Sequence, residues 1–513
     1  MRRMKIMSLV TSISFLANFA GVGLHAADTY YVDAENGKDG NPGSTPEKAW
    51  QSIERLNKAV LKPGDQILLA GGQVFKGSIS LGEKIAGTKD RPVKISSYGK
   101  NPATIDAGAG TAITLDKCKF ISIQNLKLVG CGRKNGSDGS GIDLKCTENV
   151  EIDSVDVSGF RLSGINTSGD LNSRITKVYA HDNGSAGINV CGWDKNISKN
   201  VYIGYCTADN NAGDPKNKDN HSGNGIVVGG LVGCLIEFCE ASNNGWDMPR
   251  KGNGPVGIWG WNCDKLIIQN CISHDNKSPG TDGGGFDLDG GCTNSILQYN
   301  LSYNNVGCGY LLCQYPDAPT WKNNIVRYNI SFNDGSKNMR SGIGVWEGGK
   351  GISDALVYNN VIVNTKHAVF ACHDIKGIVY RNNIFVSGDD IMKGPLKNSR
   401  FENNLYWSAT GKGALFNDGK ASYKTFEEWT KATGQETVNG KTVGVFADPK
   451  LKVPENMNLL PADPAKLAEL PFFRVGPDSK CIGAGMAIKD NGGKDFSGRN
   501  IKAGNIGAFE TEP

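Results

Sequence analysis

Gly285-Phe286-Asp287-Leu288-Asp289 is one of nine copies of a short pattern: a small residue, Ile or an apolar substitute, any residue, an apolar residue, any residue. The others are Gly141-Ile142-Asp143-Leu144-Lys145, Gly164-Ile165-Asn166, Gly187-Ile188-Asn189-Val190-Cys191, Gly225-Ile226-Val227-Val228-Gly229, Gly257-Ile258-Trp259-Gly260-Trp261, Gly309-Tyr310-Leu311-Leu312-Cys313, Gly342-Ile343-Gly344-Val345-Trp346 and Ala368-Val369-Phe370-Ala371-Cys372. Alternation at period two makes each copy a strand with one apolar face. Successive copies start 23, 23, 38, 32, 28, 24, 33 and 26 residues apart, so a core period near 23 carries insertions. A fixed period of this size is the signature of a solenoid.

A second motif falls between the copies: Ile267-Ile268-Gln269-Asn270, Leu297-Gln298-Tyr299-Asn300, Val326-Arg327-Tyr328-Asn329, Val357-Tyr358-Asn359-Asn360, Val379-Tyr380-Arg381-Asn382-Asn383 and Phe401-Glu402-Asn403-Asn404. In earlier coils Cys206 and Cys239 replace the last Asn. One residue type at one position per coil predicts a ladder of stacked side-chain amides. The fold class is all-β, a single-stranded parallel β-helix. A propeller has a longer four-strand repeat and a leucine-rich repeat has Leu at fixed offsets, and neither pattern is present.

Tyr30-Tyr31-Val32-Asp33, Asn41-Pro42-Gly43 and Pro46 at the entry, with Ile482-Gly483-Ala484-Gly485 and Ile506-Gly507-Ala508-Phe509-Glu510 at the close, resemble the right-handed parallel β-helix proteins that bacteria secrete to degrade polysaccharides, the pectin-lyase-like superfamily. The resemblance implies a right-handed coil and a carbohydrate-active protein. It is shared by lyases and hydrolases, so it does not choose the reaction.

Ahead of the repeat, Thr29 to Val32 and Gln66 to Ala70 read as strands. Ala49 to Val60, with Ile53, Leu56 and Val60 at helical spacing, reads as a short helix that caps the solenoid. After Asn404 the ladder lapses, and Thr425 to Thr433 reads as a second helix. The organisation expected is 1–27 leader, 28–111 N-terminal cap and first coils, 112–404 helical core with the cleft, and 405–513 C-terminal coils and cap of the same domain.

Arg2, Arg3 and Lys5 precede a mostly apolar run to Leu24 and the small residues Ala26 and Ala27, which is the pattern of a cleaved secretory signal peptide. A periplasmic or secreted protein is expected. No other run approaches the ~18 apolar residues of a membrane helix. The formal charge of +4 falls to +1 without the three leader cations, which gives no electrostatic case for nucleic acid. Fourteen scattered cysteines contain no C-x-x-C pair, and several fall at equivalent repeat positions, where buried thiols are favoured over bridges. A monomer acting on a polysaccharide or oligosaccharide is the expected state.

The apolar residues of the first motif fill the bore, so the alternate residues line an outer face. Near its middle that face carries Trp259 and Trp261, then Asp287 and Asp289 one coil on, with Trp346 two coils further. Flat aromatics beside carboxylates suit a sugar cleft, because rings stack on pyranose faces while acids work on the glycosidic bond. The longest insertions, Ala212 to Asn224 and Gly245 to Pro255, precede this strand in adjacent coils and read as a groove wall. They bring His221 and Lys251 toward the centre. Arg340 precedes its strand on the far side, and Glu347 follows Trp346.

Two chemistries fit these residues. A glycoside hydrolase needs two carboxyls, ~6.5 to 9.5 Å apart for inversion or ~5 to 5.5 Å for retention. Same-face strand neighbours have Cα atoms ~6.5 to 7 Å apart. Asp287 and Asp289 are the expected acid and base, with Asp282 and Glu347 in support, and Trp259, Trp261, Trp346, His221, Lys251 and Arg340 contact sugar. This reading needs no cofactor. The cluster is similar to that of family 28 glycoside hydrolases, whose Asn-Thr-Asp, Gly-His-Gly and Arg-Ile-Lys motifs are absent. The alternative is a polysaccharide lyase similar in kind to family 9 pectate lyases, with Ca2+ held by Asp282, Asp287 and Asp289 and Lys251, Lys218 or Arg340 as base. A non-catalytic glycan-binding β-helix is a third class, and the three Asp residues argue against it.

Overall fold

The computed structural model describes residues 26–193, 196–411, 415–502 and 504–510. All but the last two residues of the expected leader lie outside the described residues. No described helix is long and apolar enough to cross a membrane.

The chain winds as a parallel β-helix with three sheets. In the first sheet Ile142, Ile165, Ile188, Ile226, Ile258, Phe286, Tyr310, Ile343 and Val369 stand in register, one per coil, and all are buried in the bore. Except at Val369, which follows Ala368, the residue ahead of each is a glycine, and it is sterically required. A Cβ on Gly141 would lie 2.1 Å from Val157 Cγ2, and one on Gly257 would lie 2.0 Å from Ser273 Oγ, because the third sheet presses on that corner. Parallel stacking begins at Thr29–Val32 on Gln66–Ala70, well ahead of residue 112. Those first coils pack Ile79 and Leu81 beneath Ile113 and Leu115 without the glycine that marks the later copies.

The amide ladder runs Asn300, Asn329, Asn360, Asn383, Asn404. Asn300 Nδ2 donates to Asn329 Oδ1 (3.1 Å) and to Ile268 O (2.9 Å), and its backbone N–H donates to the same Oδ1 (3.0 Å). At the far end Asn404 Nδ2 donates to Glu436 Oε1 (2.7 Å). Asn270 is not a rung. It takes the left-handed turn position (φ 51°), and Cys271 stands in the ladder, its backbone N–H donating to Asn300 Oδ1 (3.0 Å). Cys206, Cys239 and Cys271 are buried, and all fourteen cysteines are free thiols.

A second ladder, outside the two sequence motifs, joins Asn183, Asn211, Asn244, Asn276 and Asn305 and then meets a carboxylate, Asp334. Asp334 Oδ1 accepts from Asn305 Nδ2 (2.8 Å) and Oδ2 from Ser331 Oγ (2.7 Å). Burial pushes this carboxyl up to about 6, against the pull of those donors. A folded-state value above the unfolded one stabilises fully below about pH 4, and that contribution is lost as pH rises through about 6. Asp334→Asn restores the amide of the other rungs. It is expected to raise the melting temperature at pH 8 by about 2–4 °C, the shift for roughly 1 kcal/mol in a large domain, and to change little at pH 5. Equal melting shifts at both pH values would contradict this account.

The first helix, α1 (Ile53–Asn57), is shorter than expected because Trp50 bridges Val32 in the sheet and Ser52 caps the turn. The second, α2 (Phe426–Thr433), has the capping box Thr425/Glu428, and it buries Phe426 and Trp429 with the bore residues. Trp429 stacks on Phe416 at 4.4 Å. The last segment does not continue the coil. Leu467, Leu470, Phe473, Phe496 and Phe509 pack sideways on Leu301, Ile330, Val361, Ile384 and Leu405 of the third sheet. The turn-position asparagines hold it there: Asn359 Nδ2 donates to Asn505 O and Gly507 O, Asn382 to Met486 O, and Asn403 to Ala484 O.

Candidate active site

On the outside of the first sheet, Val227, Trp259, Asp287, Leu311 and Gly344 stand in one column. Gly229 and Trp261 pair in the next column, as do Cys313 and Trp346 further along. Asp289 falls between those two pairs, just past the end of Gly284–Leu288. Its backbone N–H still bonds Gly260 O (2.8 Å) before the turn at Gly291 (φ 79°).

The three carboxylates sit in different surroundings. Asp287 is 3% exposed, and its Oδ1 is buried without a hydrogen-bond partner among the described residues. Burial, reinforced by the charges of Asp289 and Asp282, pushes it far above the usual carboxylate range, which favours its protonated form. Asp282 and Asp289 are half-buried. Asp289 Oδ1 accepts from Gly290 N–H (2.7 Å), and the Cys313 thiol donates to the carboxylate. Asp282 takes the left-handed conformation (φ 58°), which Asp tolerates better than bulkier residues. This turns its side chain back toward the wall loop, where Oδ2 accepts from Gly254 N–H (2.7 Å). Its backbone carbonyl is held from the opposite side by Asn338 Nδ2 (2.9 Å). Burial pushes both Asp282 and Asp289 up to about 6, and Arg250 partly offsets this at Asp282.

The wall insertions support the aromatics. Trp259 is buried, and its Nε1–H donates to Asn224 Oδ1 (3.0 Å). With its oxygen so engaged, Asn224 donates through Nδ2 to His221 Nδ1 (3.1 Å), which leaves the proton of a neutral ring on Nε2. His221 meets the Trp259 ring edge-on at 4.9 Å. Burial, with Arg250 nearby, lowers it to about 4. Asn224 ties the two together and carried no motif that would have picked it out. Trp261 is half-buried and lies 5.0 Å from Trp193.

The remaining expected residues lie at the rim. Lys251 and Arg340 are exposed. Glu347 Oε1 accepts from Gly349 N–H (2.8 Å) and Gly351 N–H (3.0 Å), so that carboxylate braces its own turn. Trp346 packs against the exposed His373 at 5.7 Å. Tyr315 lies over Gly290, where a Cβ would sit 2.4 Å from its ring, and so stands beside Asp289.

A calcium ion calls for six to eight convergent oxygens. Asp287 is sunk below the other two carboxylates, each of which has an oxygen committed to a backbone N–H. Among the described residues no three His, Cys, Asp or Glu side chains converge to hold a metal. The set does not fit that ion.

A family model described as a right handed beta helix region matches residues 198–374. A lacto-N-biosidase of Bifidobacterium longum subsp. longum is 21% identical over 514 residues, covering 75% of this chain and 31% of that protein. The chain thus spans about a third of that relative's length. Among solved structures, a GH136 lacto-N-biosidase from Eubacterium ramulus aligns with TM-score 0.53 at 20% identity, over 69% of this chain and 66% of that one. A PL6 family alginate lyase aligns with TM-score 0.52 at 15% identity, over 83% of this chain and 54% of that one. The chain is a parallel β-helix, and its residues 198–374 match the right-handed form of that fold.

Proposed function

We propose that this protein is an exported glycoside hydrolase that cleaves an oligosaccharide or polysaccharide, with Asp282 and Asp289 as its carboxyl pair. The observation that carries the reading is the division among the three carboxylates. Asp282 and Asp289 are half-buried and raised to about 6, while Asp287, the residue the strand period pairs with Asp289, is buried and pushed well above the usual carboxylate range. One carboxyl protonates the leaving glycosidic oxygen, and the other activates water or attacks the sugar carbon. The charge of Asp289 raises Asp282, so Asp282 tends to keep its proton once Asp289 has lost its own. Tyr315 stands beside Asp289 over Gly290, and Trp261 lies on the preceding coil.

The fold is shared with an alginate lyase, and Arg250 lies within electrostatic reach of Asp282. A lyase, however, needs a basic residue held beside the uronate, and Lys218, Lys251 and Arg340 stand exposed at the rim. The hydrolase reading is therefore preferred.

The test is the purified protein on a panel of glycans, with and without a calcium chelator, scoring reducing ends and ultraviolet absorbance. Two relatives are named lacto-N-biosidases, so oligosaccharides ending in lacto-N-biose head the panel, followed by plant polysaccharides and alginate. Reducing ends without absorbance, unaffected by chelator, are expected. With the cleaved glycan, kcat/KM is expected to follow a bell centred near pH 6, falling below about 5 as both carboxyls protonate and above about 7 as both ionise. Absorbance abolished by chelator would overturn the hydrolase reading in favour of a calcium lyase.

A further inference from the structure

We propose that Trp193, together with Trp261, forms a second sugar-binding subsite that extends the groove along the solenoid axis toward the N-terminal coils. This deepens the hydrolase reading and rests on it for the identity of the groove. Trp193 is 59% exposed, the most exposed tryptophan among the described residues, with Trp246 next at 47%. It follows Gly192 at the end of the third repeat copy. Its backbone exchanges hydrogen bonds with Asn196, with N–H to O distances of 3.2 and 2.8 Å, so its place over the sheet is fixed by main chain as well as by packing.

Trp261 is laid flat toward it by a glycine. A Cβ on Gly229, one coil earlier, would stand 2.1 Å from Trp261 Cε2 and 2.3 Å from Nε1, so only the absence of a side chain there lets the indole lie across the sheet. The rings meet at 5.0 Å with 47° between their planes, forming a shallow trough with one steep side. Beside this trough the neighbouring column is amide: Asn189 Nδ2 donates to Asn166 Oδ1 (2.7 Å), and Asn166 Nδ2 to Asp143 Oδ1 (2.8 Å). Apolar planes beside a row of fixed amides are the chemistry that recognises a pyranose, ring face to indole and hydroxyl to amide.

Asp289 follows Trp261 by one coil, and the Trp193 turn leaves the strand two coils before Trp261. At ~4.8 Å per coil the platform reaches about 14 Å from the carboxylate, more than one pyranose ring covers. The ligand class is therefore a neutral oligosaccharide at least three residues long, lying along the axis with one end over Trp193.

The experiment titrates the Asp289→Asn protein, with and without Trp193→Ala, following tryptophan fluorescence and calorimetry. The probes are the disaccharide lacto-N-biose, lacto-N-tetraose, a lacto-N-hexaose and xylohexaose. Trp193→Ala is expected to weaken binding of the longer probe about five- to tenfold, the worth of one stacked ring, and to leave the shortest bound ligand within about twofold. Trp193→Phe is expected to recover most of the loss. Gly229→Val should weaken binding similarly by tilting Trp261, and its melting curve reports whether it folds. Equal affinity for all chain lengths in both proteins, or no binding of any probe, would overturn the subsite. If the probes bind with this length dependence but no glycan is cleaved by the wild type, the hydrolase reading fails while the platform stands.

Discussion

Asp289→Asn and Asp282→Asn are each expected to fold as the wild type does and to lose about 10²- to 10⁴-fold in kcat/KM, the usual worth of a positioned acid or base. The folding half follows from the contacts. An amide oxygen still accepts from Gly290 N–H at position 289 and from Gly254 N–H at position 282, so neither loop loses its anchor. Asp287→Asn separates this reading from the one the strand period suggests. Its carboxyl is buried and pushed well above the usual range, which favours the uncharged form that an amide mimics, and activity is expected within about tenfold of wild type, well short of the loss expected of a reacting acid or base. If Asp287→Asn falls as far as Asp289→Asn while Asp282→Asn stays active, the pair is Asp287 and Asp289, and the buried residue must become exposed when substrate binds. Initial rates, azide rescue and thermal melts on the three variants decide between these outcomes. Rescue by azide of one variant alone would identify the residue that works opposite the leaving group.

What the sequence displays and what it conceals follow from the range of the forces involved. Period-two alternation is local, so the bore column from Ile142 to Val369 and the outward positions of Trp259, Asp287 and Leu311 are legible strand by strand. The strands Thr29–Val32 and Gln66–Ala70 and the helix after Thr425 are legible for the same reason. Depth is not local. Asp287 and Asp289 share a face by period, yet the first is sealed among neighbouring coils and the second stands past the strand end, a difference set by insertions of other lengths in other coils. Asp282 joins the site only because a left-handed turn aims it there. Sequence spacing cannot give that angle.

Side-chain columns also slip easily when read by residue type. Asn270 looked like a rung because Asn suits two adjacent positions for different reasons, a left-handed turn and an amide ladder. Only the pairing of Ile268 with Leu297 shows that Cys271 is the residue aligned with Asn300. The same ambiguity hid the second ladder through Asn276 and Asn305. The C-terminal segment is expected to cap the coil because end caps are what solenoids need; Phe426 and Trp429 of α2 do pack with the bore residues, while the aromatics after it answer to the apolar outer face of the third sheet.

Asn329→Leu is expected to be the most destabilising single change away from the groove. Asn329 Oδ1 accepts from both the backbone N–H and the side-chain amide of Asn300, and its Nδ2 donates to Leu297 O (2.9 Å) and Asn360 Oδ1 (3.0 Å). Leucine matches its size and removes all of these bonds inside a site with no water access, as Asn300 and Asn329 are both fully buried. Two donors on Asn300 and the carbonyl of Leu297 are then left short of partners. At roughly 1–3 kcal/mol per unsatisfied group, partly relieved by relaxation, the loss is about 3–5 kcal/mol. Asn329→Cys is expected to cost much less, because a thiol already serves in this column at Cys271, bonding Gln269 O (3.2 Å). Since a solenoid is held by interfaces between neighbouring coils, the break should divide the molecule. Hydrogen exchange is expected to accelerate first in coils on the C-terminal side of Asn329, including the strand Ser341–Glu347 that flanks the groove. Urea unfolding of the two variants measures the difference. A leucine variant within about 1 kcal/mol of wild type would mean that bore packing alone holds the coils, with the amides serving only to fix their register.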